Sequence, residues 1–225
     1  MPSSRQIISA FAAVALSSVA EAAMGPAFST GPVADGSWIR EATSTLVLPK
    51  APSNNQGDAS LWVGMGTSNG DLVQSIADNW NSDKWSVYGY TLLSTSDTTQ
   101  MPVQTDGTDA TGGDKITMHY KFDDASGNYT QIVSVNGQAV AELSTSDGHA
   151  QGWGSSVECA EDNCGTMGAH SWTDTKIILD SADPNYINTM AKGEGVTGEM
   201  STSDGGKTWT VTTIEIPEFT FGSSS

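Results

Sequence analysis

The chain has 225 residues, with 26 acidic side chains against 9 basic ones, and a formal net charge of -17. Such a surface repels nucleic acid and anionic membranes, so neither is expected as a partner. With only 2 cysteines and 3 histidines, and no His-x-His or His-Glu-x-x-His spacing, no metal centre or other cofactor is expected.

Residues 1–23 read as a secretory leader. Arg5 gives a basic start, Ile7 to Ala20 is mostly apolar, and Ala20-Glu21-Ala22 is a small-x-small cleavage site. The apolar run is too short and too weakly apolar for a stable membrane span. A secreted, extracellular protein follows, and residues 24–225 suit a single domain. Strand-like runs then succeed one another: Trp38 to Leu48, Ala59 to Met65, Leu72 to Ala77, Trp85 to Ser94, Lys115 to Phe122, Asn128 to Val135, Ala139 to Ser144, Thr173 to Leu179, Val196 to Ser201 and Thr208 to Ile216. Only Ser181 to Met190 could hold a helical turn, limited by Pro184. Asn136-Gly137 is a two-residue hairpin signal. In Lys115 to Phe122, Ile116, Met118, Tyr120 and Phe122 share one face, which leaves His119 on the other. Many short strands with abundant glycine predict an all-β antiparallel sandwich.

Candidate residues lie along this order. Leu61-Trp62-Val63-Gly64-Met65-Gly66 and Leu72-Val73-Gln74-Ser75 read as neighbouring strands that set Trp62 beside Gln74, an aromatic wall next to a carbonyl-polarising amide. Trp80, Trp85, Tyr88 and Tyr90 are dense enough to wall a groove. Asn128-Tyr129-Thr130 is an N-glycosylation triplet. Cys159 and Cys164 predict a small disulfide loop in a secreted chain. Leu143-Ser-Thr-Ser-Asp-Gly148 recurs as Met200-Ser-Thr-Ser-Asp-Gly205, followed by Gly206-Lys207-Thr208-Trp209. There the Asp204 carboxylate can tie down turn amides with Trp209 beneath. No Gly-x-Ser-x-Gly elbow occurs, and no strand carries the alternating carboxylates of many sandwich glycosidases.

The order Ala59-Ser-Leu-Trp-Val-Gly-Met-Gly66, a glutamine on the next strand, the Trp/Tyr strand Trp85 to Tyr90, Gly112-Gly-Asp-Lys-Ile-Thr-Met and a Trp segment after Cys164 resembles the fungal glutamic peptidases, the eqolisins. The resemblance spans roughly residues 36–216. It implies a concanavalin-like double-sheet antiparallel β-sandwich (a jelly roll) that works in acid. It further implies a catalytic dyad in which a glutamate activates water and a glutamine amide stabilises the oxyanion. Gln74 falls at the glutamine position, Trp62 at a groove tryptophan and Trp85 at another, with Tyr88 on the same strand. The family's Ala-Glu-Trp context reads here Ala169-His170-Ser171-Trp172, so the glutamate is expected to be replaced, with His170 in place as a base. The expected protein is a monomer acting on an extracellular polypeptide, with altered or lost catalysis. The alternative is a carbohydrate-active sandwich, either a glycan-binding module or a polysaccharide lyase, with Gln74 as neutraliser and His119, His170, Tyr88 or Tyr90 as base.

Overall fold

The computed structural model describes residues 22–96, 98–160 and 163–222. The leader therefore lies almost wholly outside the described residues; Ala23, counted in it, is the first residue of a short strand. In chain order the strands are β1 (Ala23–Met24), β2 (Phe28–Thr30), β3 (Ile39–Val47), β4 (Asp58–Thr67), β5 (Leu72–Trp80), β6 (Trp85–Ser96), β7 (Thr99–Gln104), β8 (Thr108–Ala110), β9 (Lys115–Asp123), β10 (Asn128–Val135), β11 (Gln138–Thr145), β12 (Ala150–Cys159), β13 (Thr166–Met167), β14 (His170–Leu179), β15 (Ala191–Lys192), β16 (Met200–Ser201), β17 (Thr208–Ile216) and β18 (Phe219–Thr220). The anticipated helical turn is a 3-10 turn at Tyr186–Thr189.

All the pairings are antiparallel, and the network folds over into two layers. One runs β16-β17-β14-β3-β9-β10-β11, and the other runs β15-β2-β12-β4-β5-β6-β7 with β8 also on β6. They join at one edge through the pair Ala150 and Ile39. The expected antiparallel double-layer sandwich is what the chain forms. Alternation explains why: Ile116, Met118 and Tyr120 are fully buried, and Ala59, Leu61, Val63 and Met65 do the same from β4. Trp85, Trp153 and Trp172 fill the space between the layers. Asn136 and Gly137 both take positive φ (51° and 84°) and join β10 to β11, as the two-residue signal demands.

Polar groups stitch the layers together at particular points. The Tyr120 hydroxyl donates to the Val63 carbonyl at 2.6 Å and accepts the Ser75 amide at 2.8 Å. The Gln131 side-chain oxygen accepts from the Ser75 hydroxyl and the Tyr90 amide; its nitrogen donates to the Tyr90 carbonyl and to Thr91 Oγ1. Both clamps reach the backbone of β4, β5 and β6 from β9 and β10. They fix the strands whose other face carries the candidate residues.

Two expectations change. The Val196 to Ser201 run shortens to Met200–Ser201. A ten-residue strand, β12, occupies Ala150–Cys159, where none was expected. Gly152, Gly154, Ser155 and Ser156 dilute its β propensity, but it lies inside the sheet, paired with β4 on one side and with β1 and β2 on the other. The Cys159–Cys164 disulfide is formed directly after it. Among the described residues no helix is long and apolar enough to cross a membrane.

Candidate functional site

Strand register builds the site. On the face of β12, β4, β5 and β6 that points away from the core, cross-strand rows are read off directly. Glu158, Ser60, Asp78 and Ser86 form one row. Ser156, Trp62, Ile76 and Tyr88 form the next, followed by Gly154, Gly64, Gln74 and Tyr90. Asp58 and Trp80 stand at the near end. Although it faces away from the core, Gln74 is only 4% exposed and Ile76 only 7%. They lie on the floor of a trough, with Trp62, Tyr88 and Tyr90 partly exposed around them. Tyr88 and Tyr90 meet edge to face, centroids 6.2 Å apart.

Gly64 makes room for the glutamine. A Cβ at that position would sit 2.9 Å from Gln74 Cβ and 3.1 Å from the Val73 carbonyl oxygen. The Gln74 side-chain oxygen is buried and has no hydrogen-bond partner among the described residues. A buried unsatisfied amide oxygen is unfavourable by about 1–3 kcal/mol, and such a group calls for a specific explanation.

Carboxylates gather at the end of the trough that Asp58 and Trp80 occupy. The Trp62 indole N–H donates to Glu158 Oε2 at 2.6 Å. Burial pushes the Glu158 carboxyl above its ordinary value, the indole bond acts against this, and the charge of Asp58 adds to it. Asp78 is raised further, first by burial, then by its side-chain contact with Asp58 and the charge of Asp58. The phenols of Tyr88 and Tyr90 are also raised, first by burial and then by these same carboxylates: Asp78, Asp58 and Glu158 for Tyr88, Glu158 and Asp58 for Tyr90. The trough thus holds an amide, an aromatic wall and an uncompensated acidic cluster. Among the described residues no group of His, Cys, Asp and Glu is arranged to hold a metal ion.

The structure brings together Gln74, Trp62 and Tyr88. It does not bring His170 or Trp85 to them. His170 opens β14, which pairs with β3 and β17 in the opposite layer. It is 6% exposed, its Nδ1 bonds the Gly168 carbonyl, and its Nε2 has no partner. Trp85 faces the core at 1% exposure, its indole N–H donating to the Pro49 carbonyl at 3.0 Å. On β6 its parity is that of Val87 rather than Tyr88, which places it behind the sheet. His119 is paired with Glu41 at 2.9 Å on the opposite layer. Asn128 begins β10, partly buried, with its side-chain nitrogen donating to Ser144 Oγ at 3.2 Å.

Glu158, Asp58 and Asp78 were missed by sequence reasoning. Glu158 was legible only through β12, where Trp153, Val157 and Cys159 alternate inward and Gly154, Ser156 and Glu158 alternate outward. Asp78 follows Gln74 by four residues, so parity alone puts it on the same face.

No protein-family model and no curated protein matches the chain. Among solved structures it is similar to scytalido-glutamic peptidase bound to a peptide-based transition-state analog, with 15% identity and a TM-score of 0.53, covering 85% of this chain and 98% of that one. It is likewise similar to SCP-B, a member of the eqolisin family of peptidases in complex with the tripeptide Ala-Ile-His, with 13% identity and a TM-score of 0.53, covering 88% and 99%. At such identities the likeness establishes the shared concanavalin-like fold and nothing further.

Proposed function

We propose that the chain is a secreted, monomeric, cofactor-independent endopeptidase of the glutamic type, acting in acid, with Glu158 as general base and Gln74 as oxyanion donor. The observation that carries this reading is the Trp62–Glu158 hydrogen bond on the face that also presents Gln74. In this reading Glu158, on the strand that ends at Cys159, takes the part of the glutamate that the sequence lacks after Cys164.

The chemistry follows from placement. Glu158 and Gln74 lie on strands either side of β4, two inter-strand spacings apart across the sheet and four residues apart along it, roughly 16 Å between their backbones, with Trp62 between them. They make no contact with each other. A peptide laid across Trp62 would meet Glu158 from one side and Gln74 from the other. Glu158 removes a proton from water, whose oxygen bonds to the scissile carbonyl carbon. The carbonyl oxygen takes up the negative charge and accepts a hydrogen bond from the Gln74 amide nitrogen. As the C–N bond breaks, Glu158 returns its proton to the departing amine. Burial raises Glu158, with the charge of Asp58 adding to it, which suits it to a base that must also donate in acid.

The lyase alternative loses support. His119 and His170 are on the other layer, and Tyr88 and Tyr90 are shifted away from easy deprotonation.

Cleavage of acid-denatured protein by the purified wild-type chain is expected between about pH 2 and 5. Glu158→Gln and Gln74→Ala should each lower the rate by about 10²-fold or more. Full activity in Glu158→Gln, or none in the wild type, would overturn the reading.

A further inference from the structure

We propose that the cleft between the loop joining β3 to β4 and the turn joining β5 to β6 is a second binding site, which takes a neutral saccharide. The cleft encloses about 670 Å³, and its polar lining is Asn54, Asn55 and Gln56 on one side and Asn81, Ser82 and Asp83 on the other. That volume falls within the range of about 300–1,000 Å³ spanned by small-ligand sites. Two buried amides hold the walls together. Asn55 is 5% exposed and Asn79 1%. The Asn55 side-chain nitrogen donates to the Asn79 carbonyl and to Asn79 Oδ1 at 2.9 and 2.8 Å, and its oxygen accepts the Gly57 amide at 2.9 Å. The Asn79 side-chain nitrogen donates to the carbonyls of Ser82 and Lys84 at 2.9 and 2.7 Å. These bonds pin the loop to the turn, so the cleft is shaped before a ligand arrives and little ordering is left to do on binding.

The lining selects the ligand. Asn54 and Asn81 take positive φ (58° and 42°), and both are exposed. Their side chains and that of Asp83 make no hydrogen bond among the described residues, which leaves amide donors, amide acceptors and a carboxylate for a ligand. A single carboxylate among neutral amides is a poor cage for calcium, which relies on several charged ligands. No cation in the lining draws an anion, and the ammonium of Lys84, next along the turn, is engaged by Asp109 at 2.8 Å. Sugar hydroxyls, each both donor and acceptor, match what remains. The apolar face of a sugar ring also needs a flat aromatic partner, and one adjoins the cleft. Trp80 ends β5 opposite Asp58 and directly precedes Asn81. At 54% exposed it is the most open of the seven tryptophans, a residue type that is ordinarily well buried. None of these residues takes part in the proposed proteolysis, so the saccharide site does not depend on it.

Amide and indole NMR of the intact folded chain, titrated with neutral hexasaccharides of β-linked glucose, β-linked N-acetylglucosamine and α-linked mannose, tests the assignment. At least one of the three should shift the signals of Asn54, Asn81 and the Trp80 indole together, with a dissociation constant of about 1 mM or tighter. Trp80→Ala should weaken that binding by about tenfold. Asn81→Gly keeps the positive φ and removes the amide, and should weaken it by about 2–10-fold. Both positions are exposed, so each variant serves if the other does not fold. No shift at these residues with any of the three probes overturns the proposal, as does binding that survives both substitutions unchanged. Shifts confined to Trp62 and Gln74 would put the sugar in the trough and overturn it too. Calcium chloride alone moving Asn54, Asn81 and Asp83 would assign the cleft to a cation instead.

Discussion

Asp147 and Asp204 close two copies of the same Ser-Thr-Ser-Asp-Gly phrase, yet the fold moves their carboxyls in opposite directions. Asp204 is exposed, and its Oδ1 accepts from the Thr208 amide, Thr202 Oγ1 and the Lys207 amide at 2.9, 2.9 and 3.1 Å, which holds its pKa near 2. Trp209 is buried beside this turn and donates to the Gly206 carbonyl. That arrangement was legible in the sequence because every partner lies within five residues. Asp147 is fully buried, with one bond from Thr145, and burial pushes it up to about 6. Its burial was not legible, because what covers it comes from elsewhere in the chain. Since its folded value lies above its unfolded one, its stabilising effect is complete below about pH 4 and is lost as pH rises through about 6. Denaturant titrations at pH 4 and pH 7 should show a smaller difference in Asp147→Asn than in the wild type. Gly64→Ala places a methyl 2.9 Å from Gln74 Cβ. It should destabilise by about 1–3 kcal/mol and displace Gln74, with the peptidase rate falling more than the folded fraction measured in the same sample.

At the level of elements, the trough is a product of β4, β5, β6 and β12, held from behind by β9 and β10. Tyr120 matters most here, since its single hydroxyl satisfies both the Val63 carbonyl and the Ser75 amide. Val63 lies beside Trp62 and Gly64, and Ser75 beside Gln74. Tyr120→Phe leaves one buried donor and one buried acceptor unpaired. A loss of about 1–3 kcal/mol for each is expected in urea denaturation. Amide exchange should speed up at Ser75 specifically, and a change at Ser75 no larger than elsewhere in the sheet would contradict the clamp. The pairing of β4 with β5 was legible because the two runs are adjacent in the chain, and the short loop between them is closed by the Thr67 amide bonding the Asp71 carbonyl. The pairing of β4 with β12 could not be read, because it joins segments some ninety residues apart in a glycine- and serine-rich stretch without an obvious strand signature. This is why the sequence reading did not bring Glu158, on the other side of β4, beside Trp62.

The whole molecule carries a net charge of -17, and its titration should make it most stable in mild acid. Asp71, Asp78, Asp147 and Glu158 are all raised by burial, so each contributes stability as pH falls into the ordinary carboxylate range and loses it as pH climbs through its folded value. His170 works against them. Burial lowers it to about 4, so the folded state resists a proton that the unfolded chain accepts. Its penalty grows as pH falls from about 6.5 to about 4, reaching roughly 3 kcal/mol. Below that, the depressed carboxyls of Asp114, Asp123, Asp124 and Asp204 lose their bonds on protonation, all four being surface groups with small individual effects. A stability maximum near pH 4 to 5 is expected in calorimetry. His170→Phe should raise stability at pH 4 relative to pH 7, and an unchanged ratio would show that His170 is not buried neutral.

By itself, the sequence determined the all-β class, most strand positions, the local turns, the disulfide and the face on which Trp62 and Gln74 stand together. These depend on alternation, on turn residues and on partners close in the chain, all of which are local quantities. Only the tertiary structure decided that Trp85 and His170 are buried away from the trough and that Glu158, Asp58 and Asp78 belong to it. Those placements depend on which distant strands become neighbours, and a strand assembled from glycine and serine gains its identity from the sheet that surrounds it rather than from its own residues.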